Sequence, residues 1–446
     1  MMSHLPTDTA RASARRLFAL GVFSFALIVA LLRVGLFTEF AGVRFGADWA
    51  MLDFDSGAYY PVRALLAGEN PYDRQRFLSL YPVSDGFPPY PPFTLLFHLP
   101  FALLPHAAAA AAYAIFTVGL MLLLSRMALQ ETQGYATTAG VFLVAGVLLL
   151  TRPGHWNLVL GQRAALLAVG CYIALYEARR RPWLSGFGLA LATLKPTWGV
   201  PLAILMLVRG DRIAVAAGAV LIAVLNAPLL AVIIHRAGGV GPFLERLTAG
   251  YRQWQGVSDV SPATSAVRID AATTFSRFLG HPLGDGLQVC LTVFVVAAAA
   301  LGVHLLKNDR SVGSRELTIG IICTAVLLCG HHVGYDFLLL TAPALAVLFH
   351  GLPATGLGPR RGLRWLFLVL FAIPALNWAA TASVLTALQP SPPLWLLIAS
   401  LNGVVLIAAL AAYLWLAARW SMASAKLDPH GATPTMRLVG STRNRS

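Results

Sequence analysis

Two aspartates, Asp53 and Asp55, follow the first long apolar stretch of the sequence and precede the pair Tyr59 and Tyr60. An ionised carboxylate near the membrane–water boundary can act as a general base that takes a proton from an acceptor hydroxyl. The same residues could instead cap a helix or carry solvated loop charges. Their types and spacing make Asp53 and Asp55 candidate catalytic residues, with the structural interpretation still open.

Cationic and polar residues interrupt the later apolar stretches. Arg152, Gln162 and Arg163 lie at the predicted outer end of the third and fourth spans. Arg152 could snorkel to water, whereas Gln162 and Arg163, being deeper, need partners. Lys195 precedes Pro196 at the turn between two short apolar arms. A phosphate at the membrane surface would supply its counter-charge, although a snorkelling lysine fits the same position.

Two adjacent histidines, His331 and His332, stand shortly before Tyr335 and Asp336 in a junction with almost no loop. Neighbouring residues on a helix point about 100° apart, so this pair alone makes a poor metal site. We therefore expect no metal and no cofactor. The histidines could hydrogen-bond a phosphate or sugar, or they could form an internal polar network with Tyr335 and Asp336 that fixes the spans.

The composition indicates what must position these residues. Of the 446 residues, 57% are hydrophobic and only 12% are charged, whereas soluble domains carry about 25% charged residues. Only helices and closed barrels span a bilayer, and the apolar stretches lack the period-2 alternation of a barrel. The sequence therefore predicts an all-α polytopic membrane protein.

The charge balance and the cysteines exclude other classes. Thirty-three Lys and Arg against 19 Asp and Glu give a formal net charge of +14. In a membrane protein such an excess indicates cytoplasmic loops rather than nucleic-acid binding. The four cysteines, Cys171, Cys290, Cys323 and Cys329, all lie in apolar stretches. Their placement predicts neither a disulfide framework nor a zinc site.

Basic clusters near residues 11–16, 179–181, 209–212, 307–315, 360–364 and 419 onward predict the topology if all of them face the cytoplasm. The predicted spans cover about residues 17–38, 107–126, 137–151, 158–178, 213–234, 286–306, 316–331, 336–350, 363–383 and 392–418. Two short arms, at about 183–194 and 197–208, bring the total to about 12 if both cross.

Three regions follow from this topology. We predict a basic cytoplasmic N-terminus at 1–16, a transmembrane catalytic domain at 17–418 and a disordered basic cytoplasmic tail at 419–446. The domain carries long outer loops at about 39–106 and 235–285. Within the first loop, residues 59–67 have the spacing of an interfacial amphipathic helix, and the prolines of 87–92 forbid a continuous helix.

The order and spacing of these motifs resemble glycosyltransferase family 87 over about residues 17–418. The resemblance rests on Asp55-Ser-Gly-Ala-Tyr59-Tyr60, on Arg63 to Gly68 with Pro71-Tyr72, and on Tyr90-Pro91-Pro92 with Leu104-Pro105, Gly161-Gln162, Lys195-Pro196 and Tyr335-Asp336. It implies a GT-C bundle of about 10–13 transmembrane helices whose long outer loops carry interfacial helices.

The resemblance also implies an activity and a location. Characterised members are polyprenyl-phosphate-mannose-dependent mannosyltransferases, so we expect transfer of a sugar from a polyprenyl monophosphate donor to a lipid or glycolipid acceptor. We expect a multi-pass protein of a bacterial-type cell membrane with cytoplasmic termini and an active site on the outer face. The expected partners are the donor, the acceptor and the membrane.

Site residues follow from the same resemblance. The family's aspartate, four residues before a tyrosine, falls on Asp55, which leaves Asp53 as the second choice. Lys195 becomes a donor-phosphate contact, and the late histidine falls on His331 or His332. An inverting transfer needs a carboxylate base for the acceptor proton and positive charge that stabilises the leaving phosphate. Lys195 and a histidine could supply that charge without a metal. The predicted donor-binding residues are Lys195, His332, His331, Arg163, Gln162, Arg152, Tyr59 and Tyr60.

Two other classes remain as alternatives. A multi-span transporter or lipid flippase would share the many spans and intramembrane charges, and a non-catalytic membrane assembly factor would too. Transporters often show internal repeats and keep their charges near the midplane. This sequence has no convincing repeat, and its candidates lie at the outer ends of the spans. That distribution favours chemistry on a membrane-bound substrate.

Overall fold

The computed structural model describes residues 8–39, 50–256, 261–309, 311–350 and 361–427. Across these ranges the regular structure is helical, and the sole β feature is an isolated antiparallel bridge between Arg268 and Val333. The predicted all-α polytopic architecture is confirmed.

The first half of the chain, including the predicted first outer loop, forms a series of helices. They are α1 (Asp8–Glu39), α2 (Leu52–Phe54), α3 (Tyr60–Leu66), α4 (Arg74–Leu80), α5 (Phe93–Ala102), α6 (His106–Gln133), α7 (Thr138–Leu150), α8 (Arg152–Val159), α9 (Ala164–Glu177) and α10 (Pro182–Ala192). A π-helical turn, Asp55–Tyr59, joins α2 to α3.

The second half completes the bundle. Its helices are α11 (Pro196–Arg209), α12 (Arg212–Ala237), α13 (Val240–Gln255), α14 (Ala271–Leu279), α15 (Asp285–Leu306), α16 (Val312–Leu328), α17 (Thr341–His350), α18 (Arg361–Leu376), α19 (Ala382–Leu388) and α20 (Pro392–Leu427). Two 3₁₀ turns, Gly334–Leu340 and Trp378–Ala380, connect them.

Within the described residues, six helical segments are long and apolar enough to cross a membrane: Arg11–Arg33, His106–Gln133, Arg212–Ala237, Asp285–Leu306, Gly362–Ala380 and Pro392–Ala423. The bent pair α7–α8 would make a seventh. The same described ranges also contain shorter apolar segments, at Phe93–Ala102, Ala164–Glu177, Pro182–Ala192, Pro196–Arg209 and Gly334–His350. The figure of 10–13 spans implied by the resemblance is reached only if shorter segments also cross.

The third predicted span, 137–151, corresponds to α7, and the chain bends sharply after it at Thr151, where α7 and α8 meet at 79°. Gln162 and Arg163 follow α8 in the turn before α9, so they do not lie inside a span as the sequence suggested. The span predicted to begin near residue 158 was wrong at its start, because α9 begins at Ala164. Because residues 158–160 are apolar, the end of α8 looked continuous with α9 in the sequence.

The two short arms around Lys195 are confirmed as helices α10 and α11. Lys195 occupies the position before Pro196, and proline fits there because the first helical N–H has no intrahelical acceptor. The arm α10 packs closely on α9: a Cβ at Gly188 would come within 2.6 Å of Gly170 O. Small residues at such crossings let helix backbones approach one another in membrane proteins.

A large apolar core holds the site-bearing segments in place. Trp198 of α11 is fully buried. The hydroxyl of Tyr172 donates to Leu339 O at 2.9 Å and accepts from Ala342 N at 2.7 Å. A buried hydroxyl needs hydrogen-bond partners, and here both partners lie at or just after the end of the Gly334–Leu340 turn. The two bonds therefore hold this turn against α9. The 3₁₀ turn that follows the histidines therefore has a defined position.

Polar contacts join basic segments at one end of the bundle. Arg315 lies 3.7 Å from Glu131, whose carboxylate also interacts with Arg180. Trp420 donates to Asp309 at 2.5 Å. The loops that carry these residues were predicted to share the cytoplasmic side. The contacts bring these loops together at one end of the bundle.

The disordered tail predicted at 419–446 was wrong at its start. Helix α20 continues to Leu427, so residues 419–427, predicted as disordered, are helical instead. Alanine, methionine and leucine in this stretch favour helix. At the other terminus, α1 begins at Asp8, within the predicted 1–16 segment. Residues 1–7, 40–49 and 428–446, which belong to the predicted N-terminus, first outer loop and tail, lie outside the described residues.

Candidate functional site

The segment that carries both candidate aspartates is fixed to the end of α8. Backbone N–H groups of Met51 and Asp53 donate to Val159 O at 2.8 Å and Leu160 O at 3.0 Å. The first amides of a helix have no intrahelical acceptor, so these bonds satisfy them. The start of the first outer loop is thereby held beside the α8–α9 turn, although the two are about a hundred residues apart in sequence.

Asp53 lies among the polar residues of that turn. The side chain of Gln162 and the positive charges of Arg163 and Lys195 stabilise its ionised form. Gln162 Nε2 also donates to the hydroxyl of Tyr335 at 2.8 Å. Burial dominates these effects and raises the pKa of Asp53 to about 6. At neutral pH the carboxylate is mostly ionised and more basic than an ordinary aspartate, which suits a general base.

Asp55 has a different environment. Nε2 of His106 lies 2.7 Å from its Oδ1, and the ring of Tyr60 stacks on His106 with centroids 5.7 Å apart. Burial raises the pKa of Asp55, and the His106 contact opposes that shift. The hydroxyl of the neighbouring Tyr59 donates to Leu104 O at 3.0 Å. Tyr59 and Tyr60 therefore surround Asp55 rather than the cavity described below.

Sequence reasoning missed His106. It begins α6 directly after a proline, and its only sequence signal was a histidine at the start of an apolar run.

Arg163 connects the aspartate segment to the proline-rich loop. Its Nη2 donates to Gly57 O at 2.9 Å, and its guanidinium lies 4.3 Å from the ring centroid of Tyr90. A stacked guanidinium gains cation–π attraction while its donors stay available. Within the described residues, Nη1 of Arg163 is buried and has no hydrogen-bond partner. The side chain is thus placed where an oxygen of a ligand would satisfy it.

Lys195 already has a counter-charge within the protein. Its Nζ lies 2.8 Å from Oδ2 of Asp336. The same oxygen lies 3.0 Å from Nδ1 of His332 and accepts from Val333 N at 3.1 Å. Sequence reasoning had offered a phosphate as counter-charge and, separately, an internal network around the histidines. The geometry matches the network, with Asp336 at its centre.

The second outer loop reaches the same network. Ile269 N donates to His332 O at 2.9 Å, and Gly334 N donates to Val267 O at 3.1 Å. Between these bonds, Arg268 forms an ion pair with Asp270, Nε to Oδ2, at 2.9 Å. Arg268 and Asp270 were not predicted as site residues. A lone arginine in a long loop has no distinctive pattern, and only the fold brings it to the histidine junction.

A cavity of about 420 Å³ lies between these segments. Lys195 and His331 line it together with residues from the proline-rich loop, α13, the second outer loop and α15. The lining residues are Pro88, Pro89, Tyr90, Lys195, Pro196, Thr197, Tyr251, Gln255, Arg268, Ala272, Gln288, Val289, Thr292, Val293, Gly330 and His331. Tyr90 is shared between this cavity and the Arg163 contact.

The structure thus separates the two histidines. His331 lines the cavity, whereas His332 is fully buried against Asp336.

Arg152 has a separate set of partners. Its Nη2 donates to Ala380 O at 2.8 Å and its Nε to Thr381 Oγ1 at 3.4 Å. Arg152 is buried and does not line the cavity. It therefore differs in position from the other predicted phosphate contacts, and its contacts connect α8 to the turn before α19. Among the described residues no cluster of three or more His, Cys, Asp or Glu has the geometry of a metal site.

Comparison with known proteins gives the family. No curated protein and no solved structure matches the chain. The family model described as glycosyltransferase family 87 matches residues 87–330. The matched region contains Gln162, Arg163 and Lys195 and stops before His331. This match covers more than half of the 446 residues, and the helical bundle of the protein agrees with it. The chain belongs to glycosyltransferase family 87 and is a multi-pass membrane glycosyltransferase.

Proposed function

We propose that this glycosyltransferase moves a sugar from a polyprenyl monophosphate donor to a lipid or glycolipid acceptor. The family resemblance indicates that this sugar is mannose. The observation that carries the proposal is the cavity beside Lys195, because it combines a polar end with an apolar wall on a membrane-spanning helix. Val289 and Val293 of α15 line the cavity and are 62% and 61% exposed. An apolar surface exposed on a membrane span faces lipid. A donor could therefore enter sideways with its chain still in the bilayer.

The acceptor side of the reaction needs a base. In an inverting transfer the acceptor oxygen bonds to the anomeric carbon as the bond from that carbon to the phosphate oxygen breaks. The acceptor proton passes to a carboxylate. Asp53 and Asp55 are the candidates. Asp53 is favoured because Gln162, Arg163 and Lys195 stabilise its ionised form, whereas Asp55 is engaged by His106.

The donor side needs positive charge. The phosphate that leaves with the prenyl chain gains negative charge, and donors already in position stabilise it best. Lys195 and His331 line the cavity and are suited to this role. Arg163, stacked on the shared Tyr90, would support the region between the phosphate and Asp53. Each of these roles uses a side chain of the protein, and we include no cofactor in the proposal.

We further propose that this site faces the outside of the cell membrane and that both termini are cytoplasmic. The support is the separation of charges along α6: His106, at its start, contacts Asp55, and Glu131, near its end, contacts Arg315. The basic segments thus lie at the end of α6 away from the aspartates. Positive charge marks the cytoplasmic side of membrane proteins.

The direct test is transfer from radiolabelled polyprenyl-phosphate-mannose by the purified protein, with a panel of membrane lipids as acceptors. We expect Asp53→Asn to lower the rate about a hundredfold or more, the usual contribution of a general base. Asp55→Asn should act more weakly. Asp285→Asn is the matched control, since Asp285 is an exposed carboxylate at the start of α15.

Three results would count against parts of this proposal. If Asp55→Asn abolishes transfer and Asp53→Asn does not, the base is Asp55. If both variants retain full transfer, neither carboxylate is the base. If the wild-type protein transfers sugar from a nucleotide donor and not from the prenyl phosphate, the proposed donor is wrong.

A further inference from the structure

We propose that Arg268 is a second phosphate-binding cation of the cavity and that it acts with Lys195 on a prenyl phosphate; this inference rests on the proposed function. The two cations come from segments 73 residues apart in sequence, the α10–α11 turn and the second outer loop. Both line the same cavity, together with His331. A phosphate held between them would receive donors from two directions, which fixes both its position and its orientation.

Backbone contacts tie the two cations to one frame. Arg268 pairs with Val333 in the isolated β-bridge, and Ile269 N donates to His332 O at 2.9 Å. His332 in turn contacts Asp336, the counter-ion of Lys195. The position of Arg268 relative to Lys195 is therefore set by hydrogen bonds and not by a free loop. Such prior organisation lowers the entropic cost of holding an anion.

Each cation has its own buried carboxylate. The ion pairs are Lys195 with Asp336 at 2.8 Å and Arg268 with Asp270 at 2.9 Å, and both carboxylates are at most 1% exposed. These partners make a buried cation tolerable before any ligand arrives. An ammonium has three donors, and Asp336 accounts for one of those of Lys195. With two cations matched by two carboxylates, the cavity suits a ligand of low charge, such as a sugar phosphodiester.

The cavity wall on α15 favours a lipid as the source of the phosphate. Gln288 and Thr292 lie one turn apart and line the cavity next to the exposed Val289 and Val293. Inorganic phosphate would bind the cations but would make no apolar contact with Val289 and Val293. A prenyl phosphate would use both surfaces, because burying its chain against them is favourable at about 25 cal/mol per Å².

The test measures binding rather than transfer. The purified full-length protein in lipid nanodiscs is titrated with a short-chain prenyl phosphate, and affinity is followed by calorimetry. We expect Arg268→Gln to weaken binding about tenfold or more, the scale of one charged hydrogen bond. Arg268→Lys should retain most of the affinity. Arg252→Gln, which removes an exposed arginine of α13 that does not line the cavity, should leave it unchanged.

A second variant distinguishes weaker binding from misfolding, because Arg268→Gln leaves Asp270 without this ion-pair partner. The double variant Arg268→Gln with Asp270→Asn removes the pair, and Asn can still cap α14 as Asp270 does. It should bind as weakly as the single variant while keeping the wild-type unfolding temperature. If prenyl phosphate binds Arg268→Gln or the double variant with wild-type affinity, the role of Arg268 is wrong, and the proposed function stands.

Two further outcomes separate the sources of phosphate. Inorganic phosphate should compete only at concentrations at least about tenfold higher, because it lacks the apolar contact. Equal affinity for inorganic phosphate would contradict a lipid source. If the wild-type protein neither binds the prenyl phosphate nor transfers sugar from its mannosylated form, the proposed function fails together with this inference.

Discussion

Asp53 and Asp55 are separated by a single residue, yet their carboxylates contact different partners. Residues two apart on a helix point about 200° away from each other. Asp53 therefore faces Gln162 and Arg163, and Asp55 faces His106. Sequence analysis identified both aspartates and ranked Asp55 first by its distance to Tyr59. It had no means of knowing which carboxylate would face the α8–α9 turn.

The pH dependence of transfer should identify the base. If Asp53 accepts the proton, its ionised form is the active one, and its pKa of about 6 sets the acidic limb. We expect the rate to be steady above about pH 7 and to fall about tenfold per pH unit well below pH 6. The measurement is transfer at saturating donor across that range. Asp55→Asn should keep the same profile.

The residual activity of Asp53→Asn provides the complementary result. It should lack this acidic limb, because an amide does not titrate. A wild-type rate that stays constant from about pH 7 to pH 5 would contradict Asp53 as the base. The unfolding temperature, recorded over the same range, shows whether any fall in rate reflects loss of folded protein.

Lys195 shows what its residue type and local position could predict. Its position at a turn between apolar arms correctly indicated that it needed a counter-charge. The partner, Asp336, lies 141 residues further along the chain. Nothing in the local pattern links the two, because the contact depends on how α11 packs against the junction after α16. The same reason explains why Arg268 was missed.

At the scale of helices, the apolar runs predicted most of the architecture. The arms α10 and α11 and the long spans α6, α12 and α15 all lie close to their predicted bounds. The third span was predicted to end near residue 151, as α7 does, but the separate helix α8 that follows at 79° was not predicted. The π-helical turn Asp55–Tyr59 was also missed, because its extra residue has no signature in hydrophobic spacing.

The π-helical turn provides an element-scale prediction. A Cβ at Gly57 would collide with Nη2 of Arg163, which donates to the carbonyl of the same glycine. We expect Gly57→Ala to displace the guanidinium and to lower the transfer rate about tenfold to a hundredfold, as a misplacement of about 1 Å can do. The unfolding temperature should change little, because the obstructing atom ends a flexible side chain.

Gly119→Ala is the matched control for that substitution. Gly119 lies inside α6, and a Cβ there would meet no atom within 4 Å. Alanine also favours helix over glycine by about 1 kcal/mol. This variant should transfer sugar at the wild-type rate. Equal rates for Gly57→Ala and the wild type would mean that the position of Arg163 does not matter for turnover.

At the scale of the whole molecule, one helix separates two kinds of chemistry. Helix α6 has 28 residues, about 42 Å at the usual rise. It begins at the contact between His106 and Asp55 and ends near the contact between Glu131 and Arg315. The even number of crossings between basic clusters was an expectation from sequence, and the contacts among the basic loops are compatible with it.

Cysteine labelling tests the orientation. In a Cys290→Ala background, which removes the exposed native thiol, the other three cysteines are buried. We expect Ala67→Cys to react with a membrane-impermeant maleimide in intact cells, and Asn308→Cys to react only after the cells are opened. Both positions are exposed in the structure and lie outside the spans. The opposite pattern would place the aspartates on the cytoplasmic side.

The ion pair between Lys195 and Asp336 also has a consequence for biosynthesis. A ribosome that adds about 5–20 residues per second needs about 7 to 28 s to make the 141 residues between them. Throughout that interval the nascent lysine lacks Asp336, its ion-pair partner, and an unpaired ammonium is costly in hydrocarbon. We therefore expect the α10–α11 hairpin to remain near the lipid head groups during translation. It should reach its final position only after Asp336 has been synthesised.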